Sequence, residues 1–153
     1  MRKILSILLF FISVVAYTQS TYYVATTGSD AGAGTIGDPF ETITYAISQM
    51  SGGDTIYVRG GTYNERVYPY HKDGSANTRT YFSTYDSETV IIDGTGIVIP
   101  AGSALIYLHS KYTTFTGFEV KNVNMNAEGD GDYGITTSDY DNNVTVSYCT
   151  VGS

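Results

Sequence analysis

Apolar residues change their spacing within the first third of the chain, and the change separates two kinds of element. The apolar run from Thr21 to Ala25 predicts a strand. The following stretch "DPFETITYAISQM" predicts a helix over 39–50, with Asp38 as the N-cap and Pro39 at the first helical position. The apolar residues that recur there at helical spacing are Phe40, Ile43, Ala46, Ile47 and Met50.

Beyond residue 51 the pattern predicts only short strands, and these strands repeat. The recurrence predicts a solenoid of β-coils rather than a sandwich. Such a solenoid exposes strand edges at its ends, so the helix over 39–50 is expected to cover the first one. Ile56, Tyr81 and Ile106 recur at 25-residue steps, and Val90 and Phe115 are separated by the same step. Ile135 follows Ile106 after 29 residues. Val146 follows Phe115 after 31 residues.

The first residues have the layout of a secretory signal peptide. Arg2 and Lys3 precede an apolar run from Ile4 to Ala16, and the polar residues "YTQS" follow it. The run is too short to span a bilayer comfortably. We therefore predict a leader over residues 1–19, a mature chain over residues 20–153 and export from a bacterial cell to the outside or the cell surface, without a membrane segment after cleavage.

Composition and charge narrow the class of partner. The chain has 15 Tyr and 17 Gly and only 15% charged residues, which is typical of strands joined by tight turns. Its formal net charge is −7, and removal of the leader with Arg2 and Lys3 makes it −9. Nucleic acid is therefore not expected as a partner. An acidic polysaccharide would require a local basic site or bound cations.

The stretch "GAGTIG", at residues 32–37, matches the letters of a dinucleotide-binding turn between a strand and a helix. A dinucleotide site needs its first glycine at the end of the strand, whereas "TGSDA" separates the strand from Gly32. It also needs a further alternation of strands and helices, which the sequence does not predict. We expect no nucleotide cofactor and interpret the glycines as loop residues.

Residues 22–67, from "YYVATTGSD" through "DPF" and "GGDTIYV" to "GGTYNERV", resemble the N-terminal cap and first coil of secreted bacterial right-handed parallel β-helix proteins, nearest to the family-nine pectate lyases. The later stretches "VIIDGTG" and "FTGFEVKN" are similar to further coils of that group. The resemblance implies an all-β fold, a right-handed parallel β-helix with a short N-terminal capping α-helix. The cap would extend to about residue 53, followed by about four coils. Because the sequence ends at "CTVGS", without a C-terminal cap, we interpret it as an N-terminal fragment.

The resemblance also implies a reaction, the β-elimination of a uronic-acid polysaccharide. In the lyases calcium held by Asp residues neutralises the C5 carboxylate, and a Lys removes the adjacent proton. The sequence has no "DDG"-type cluster, so the catalytic residues stay unknown and are expected beyond residue 153. Two alternatives stay open: a non-catalytic adhesin or carbohydrate-binding surface protein, and a glycoside hydrolase on the same scaffold with paired carboxylates.

The stretch "EGDGDYGITTSDYDNN" supplies the candidate calcium ligands. Asp130, Asp132, Asp139 and Asp141 carry the hard oxygen donors that Ca²⁺ takes. The complete frame of a calcium-binding loop is missing, so a solvated loop between coils is the alternative interpretation.

The stretch "YNERVYPYH" supplies the candidate sugar contacts. Tyr63, Tyr68 and Tyr70 surround a predicted loop, and aromatic faces stack on sugar rings. Packing inside the coil is the alternative for each of these tyrosines.

Overall fold

A computed structural model of the protein describes residues 18–123, 133–138 and 143–152. Residues 1–17 of the predicted leader lie outside this part of the chain, and none of the described helices is long and apolar enough to cross a membrane. The elements in chain order are β1 (Thr21–Val24), α1 (Ile43–Gln49), β2 (Thr55–Val58), β3 (Gly61–Tyr63), β4 (Thr80–Thr84), β5 (Val90–Asp93), β6 (Ala104–Leu108), β7 (Thr113–Thr116), β8 (Phe118–Lys121), β9 (Tyr133–Thr137), β10 (Thr145–Ser147) and β11 (Thr150–Val151).

The strands form three parallel sheets, and the chain visits them in a repeating order. The first sheet has the order β1-β2-β4-β7-β10, the second has the order β3-β5-β8-β11, and the third pairs β6 with β9. Isolated bridges at Val67 and Tyr70 add a first rung to the third sheet. Each of the first three coils therefore contributes one rung to each sheet, and β10 and β11 of the fourth coil join the first and second sheets. The all-β parallel solenoid predicted from the sequence is confirmed.

The coil length differs from the predicted 25-residue step. Ile56 pairs with Phe82, and Phe82 pairs with Phe115, so these steps are 26 and 33 residues. Tyr81 pairs with Thr55, one residue away from the predicted equivalence with Ile56.

The predicted place of Ile106 in the repeat was also wrong, because Ile106 lies on the third sheet and Ile56 on the first. Val90 likewise pairs with Phe118 rather than Phe115. The later equivalences are confirmed, because Ile106 pairs with Ile135 and Phe115 pairs with Val146. The connections between strands differ in length, so no constant step holds along the chain.

The core is a set of inward-facing columns, because side chains at paired positions of parallel strands point the same way. Ile56, Phe82 and Phe115 form one such column, and each is at most 1% exposed. Ile92 and Val120 continue the core on the second sheet. Burying each of these side chains contributes about 1.5–3 kcal/mol, so the columns hold successive coils together.

The helix begins later than predicted. Thr42 is the N-cap of α1, and its side chain accepts a hydrogen bond from the Tyr45 backbone N–H. Phe40, predicted to be helical, instead forms a parallel bridge with Val24. The Asp38 carboxylate, predicted to cap the helix, accepts a hydrogen bond from the Ala33 N–H. Pairing with β1 therefore overrides the helical pattern in the first turn.

The helix covers the first coil, as predicted from the pattern. Ile43, Ala46 and Ile47 are buried in the same cluster as Val24 and Ile56. Two carboxylates satisfy backbone N–H groups at its start. Asp30 accepts from the Thr42 N–H, and Glu65, which follows β3, accepts from the Ile43 N–H at 2.8 Å. Because Glu65 belongs to the first coil, it ties the helix to the solenoid.

The glycine stretch at residues 32–37 folds back onto β1 and Phe40. The Gly34 carbonyl accepts a hydrogen bond from the Tyr23 N–H, and Gly34 has a φ of +70°. A β-carbon on Gly34 would lie 2.4 Å from Cε2 of Phe40. Gly34 is therefore needed for close packing in the N-terminal cap. Around Gly37, in contrast, nothing lies within 4 Å of an added β-carbon.

These two glycines provide a matched test of the cap. We expect Gly34→Ala to lower the free energy of unfolding by about 2–4 kcal/mol, because it combines a positive φ with a clash against Phe40. Gly37→Ala should change it by less than about 0.5 kcal/mol. Urea denaturation of the two variants measures the difference, and equal losses would contradict the role assigned to Gly34.

Tyr63 lies on the inward face of β3. It is 4% exposed, and its hydroxyl donates a hydrogen bond to the Arg59 carbonyl at 2.9 Å. A buried ring has no face exposed to a sugar. The prediction that Tyr63 contacts a sugar is therefore wrong. Burial raises the pKa of Tyr63 to about 12 from an ordinary value of 10.0.

The raised pKa of Tyr63 predicts a loss of stability in alkali. A group whose pKa is raised by folding stabilises the fold fully below its unfolded pKa, and this contribution is lost as the pH rises through the folded value. The phenylalanine of the Tyr63→Phe variant cannot ionise. Between pH 10 and about 12 the free energy of unfolding of the wild type should therefore fall by about 2–3 kcal/mol more than that of Tyr63→Phe. Tyr70→Phe, at an exposed position, is the control. Urea denaturation across this window tests the prediction, and parallel curves for wild type and Tyr63→Phe would refute it.

Candidate functional site

The outward face of the third sheet carries aromatic rings on two successive coils, exposed in the first coil and half-buried in the second. In the first coil Val67 is buried, whereas Tyr68 and Tyr70 are 37% and 52% exposed. The second coil repeats this alternation, because Tyr107 follows Ile106, the bridge partner of Val67, and His109 is the bridge partner of Tyr70. We call the five residues Tyr68, Tyr70, His71, Tyr107 and His109 the aromatic surface.

The rings of the aromatic surface stack between coils. Tyr68 and Tyr107 have centroids 5.5 Å apart and planes at 15°, and Tyr70 and His109 are 4.9 Å apart at 29°. The His71 ring lies edge-on to both Tyr70 and His109, at 4.0 and 5.0 Å. Parallel pairing therefore produces one continuous patch of rings from residues that are distant in sequence.

The backbone beneath these rings is held in place by hydrogen bonds to the next coil. The His71 N–H donates to the His109 carbonyl at 2.9 Å. The buried Ser110 hydroxyl donates to the Pro69 carbonyl and accepts from the Lys72 N–H. Because these contacts join the two coils, the rings are presented on a preorganised support, which reduces the entropic cost of binding a ligand.

Arg66 supplies the cationic group beside the aromatic surface. Its guanidinium carbon lies 5.2 Å from the Tyr68 ring centroid, and its Nε donates to the Ala104 carbonyl at 2.9 Å. The pKa of the Tyr68 phenol is raised by partial desolvation and, secondarily, by Tyr70 and Tyr107. Tyr68 therefore presents a neutral hydroxyl, which can donate or accept a hydrogen bond.

The candidate calcium ligands Asp130, Asp132, Asp139 and Asp141 lie outside the described residues. Within residues 18–123, 133–138 and 143–152, no group of three or more His, Cys, Asp or Glu side chains could hold a metal ion. No described residue is therefore assigned to calcium.

The sequence prediction found two members of the aromatic surface, Tyr68 and Tyr70, and missed Tyr107, His71 and His109. A signal was present, because "VYPYH" at residues 67–71 and "IYLHS" at residues 106–110 share the order of apolar and aromatic positions. Their equivalence depends on a 39-residue step, which differs from every step that the strand pattern indicated.

Comparison with known proteins identifies relatives of this fold. Pectate lyase PEL9 of Emericella nidulans is 41% identical over 80 residues, which are 52% of this chain and 20% of that protein. The structure of a rhamnogalacturonan lyase matches with a TM-score of 0.58 at 22% identity, over 67% of this chain and 28% of the other. The structure of pectate lyase Pel9A matches with a TM-score of 0.53 at 17% identity, over 85% of this chain and 34% of the other.

At these identities the two structures support the fold alone, and the chain spans a minor part of each relative. The model of one family, described as the Pel9A-like, right-handed beta helix region, matches residues 22–152. This match confirms the resemblance to pectate lyase-like proteins and gives the solenoid its right-handed sense. The chain belongs to the Pel9A-like right-handed β-helix family.

Proposed function

We propose that the chain is part of a secreted bacterial protein that cleaves an acidic, uronic-acid polysaccharide by β-elimination, and that the aromatic surface contacts this glycan. Family membership supports a polysaccharide lyase-like scaffold. The observation that carries the proposal is the patch of stacked rings on two successive coils, in which Tyr68 and Tyr70 are exposed. The apolar run at residues 4–16 supports export.

The aromatic surface suits a sugar chain for two physical reasons. Tyr and His rings offer apolar area for the C–H faces of a sugar, and their polar atoms bond its hydroxyl groups. Arg66 lies beside Tyr68 and offers a cation to a uronate carboxylate. This local charge matters because the chain as a whole carries −7 and repels a polyanion.

The elimination itself needs a base for the C5 proton, and the C4–O4 bond then breaks to leave an unsaturated uronate at the new end. A cation such as Ca²⁺, when bound, would stabilise the negative charge that develops on the carboxylate group. The role proposed for the described residues is to hold and orient the glycan. The base and the cation ligands are not assigned to any of them.

A non-catalytic carbohydrate-binding protein is the second candidate, because the aromatic surface could bind a glycan without a catalytic group. The two candidates differ in product. A lyase releases unsaturated uronates that absorb in the ultraviolet, whereas a binding protein retains the intact polymer.

The test combines turnover and binding on the same protein. Incubation of the full-length protein with polygalacturonate, alginate or chondroitin, with and without Ca²⁺, should raise the ultraviolet absorbance for one polymer if the protein is catalytic. Binding without any rise favours the binding protein, and neither binding nor turnover on any polyanion contradicts both candidates.

Tyr70→Ala should weaken binding to the polymer that responds. Loss of one exposed ring from the aromatic surface is expected to reduce affinity by about fivefold to tenfold, measured by isothermal titration calorimetry. Tyr81→Ala is the matched control, because Tyr81 is a comparably exposed tyrosine, at 39%, on the first sheet. Equal effects of the two substitutions, or none, would refute the role of the aromatic surface.

A further inference from the structure

A concave feature lies where the chain passes from the first sheet to the second. The connections at this corner differ in length: five residues join β4 to β5, Gly117 alone joins β7 to β8, and two residues join β10 to β11. The short middle connection lies between two longer ones and leaves an open cleft of about 400 Å³. We call it the corner cleft. Its lining includes Ser83, Thr84, Glu88, Thr116, Glu119 and Tyr148.

Gly117 forms the corner on which the cleft lies. Its φ is +91°, and an added β-carbon would lie 2.5 Å from the Thr84 hydroxyl oxygen. Glycine alone fits this corner without backbone strain and without displacing the Thr84 side chain. Glycine at this position therefore lets the Thr84 side chain of the neighbouring coil pack closely against the corner.

Hydroxyl groups line the cleft on successive coils. Ser83 pairs with Thr116, and Thr116 pairs with Ser147, so their side chains form an outward column. The Ser147 hydroxyl bonds the Thr116 hydroxyl at 3.1 Å. Rungs are about 4.8 Å apart, so the column is a regular series of donors and acceptors. Such a series can bond several hydroxyl groups of one ligand.

Both carboxylates of the cleft have a cationic partner. Glu88 lies 3.0 Å from Arg59, and Glu119 lies 2.9 Å from Lys121. Hydrogen bonds from Arg59 and from the Gly60 N–H lower the pKa of Glu88, so it is ionised at neutral pH. Each of these two ion pairs joins one negative and one positive group, so together they carry no net charge. The corner cleft thus lacks the excess negative charge that a cation site needs and the excess positive charge that a polyanion needs.

Tyr148 supplies an aromatic ring at the rim. It is 91% exposed, so its side chain lies outside the core. An exposed ring above a hydroxyl-lined cleft with carboxylate acceptors provides both stacking and hydrogen bonding for a sugar. The volume lies within the range of about 300–1,000 Å³ that is common for small-ligand pockets.

We propose that the corner cleft is a binding site for a neutral saccharide, distinct from the aromatic surface on the third sheet. The ligand is an uncharged mono- or disaccharide unit, whose hydroxyl groups meet Ser83, Thr116 and the paired Glu88 and Glu119, and whose apolar face meets Tyr148. This site does not depend on the proposed lyase activity. A chain that binds neutral sugars here can lack turnover on every polyanion.

Titration of the ¹⁵N-labelled protein with galactobiose, mannobiose, cellobiose, digalacturonate and CaCl₂ tests the site by NMR. At least one neutral disaccharide should shift the backbone amide signals of Gly117 and Thr89, whereas digalacturonate and Ca²⁺ should not shift them. Shifts with digalacturonate or Ca²⁺ alone would overturn the proposal, as would no shift with any ligand.

Two substitutions locate the binding. Tyr148→Ala removes a ring exposed to solvent. It should lower the affinity for the neutral disaccharide by about fivefold without altering the rest of the spectrum. Thr116→Val, which keeps the shape and removes a hydroxyl, should weaken it by about threefold to tenfold. Tyr70→Ala is the control and should leave this affinity unchanged. If Tyr70→Ala lowers the affinity for the neutral disaccharide and Tyr148→Ala does not, the ligand binds the aromatic surface and the proposal is wrong.

Discussion

Parallel pairing between successive coils is the constraint on which the rest of the structure depends. The strands β4, β5, β7 and β8 each bond their backbone to the coils on both sides, so paired residues point to the same face of the sheet. Ile56, Phe82 and Phe115 occupy one inward column for this reason. A side chain in such a column must fit the residues above and below it, which makes the core a property of the stack rather than of any single coil.

The same constraint creates the surface that faces solvent. Tyr68 and Tyr107 stack because their strands pair, and neither coil alone would form the patch. The connections between strands are free of this pairing and therefore vary in length. The corner cleft at Gly117 arises from that freedom, because a one-residue connection lies between longer ones. A regular scaffold thus carries one site built by pairing and another built by unequal connections.

The N-terminal cap illustrates how tertiary contacts override local preference. Phe40 has the spacing of a helical residue, but its pairing with Val24 gives the backbone of the edge strand a partner. The helix then begins at Ile43, where the Glu65 carboxylate accepts a hydrogen bond from a backbone N–H that the helix leaves unpaired. That carboxylate comes from another part of the chain, so the sequence near Asp38 could not reveal it.

Local features of the sequence by themselves determined the class of fold. Alternating apolar residues in short strands, turn-forming glycines and one amphipathic stretch are properties of neighbouring residues, and they predicted an all-β solenoid with a single capping helix. Tertiary structure alone decided the register. Pairing across steps of 26 to 39 residues depends on connections of unequal length, which no constant repeat describes. For this reason the stacking of coils decided the burial of Tyr63, the contact between Tyr70 and His109, and the corner cleft at Gly117.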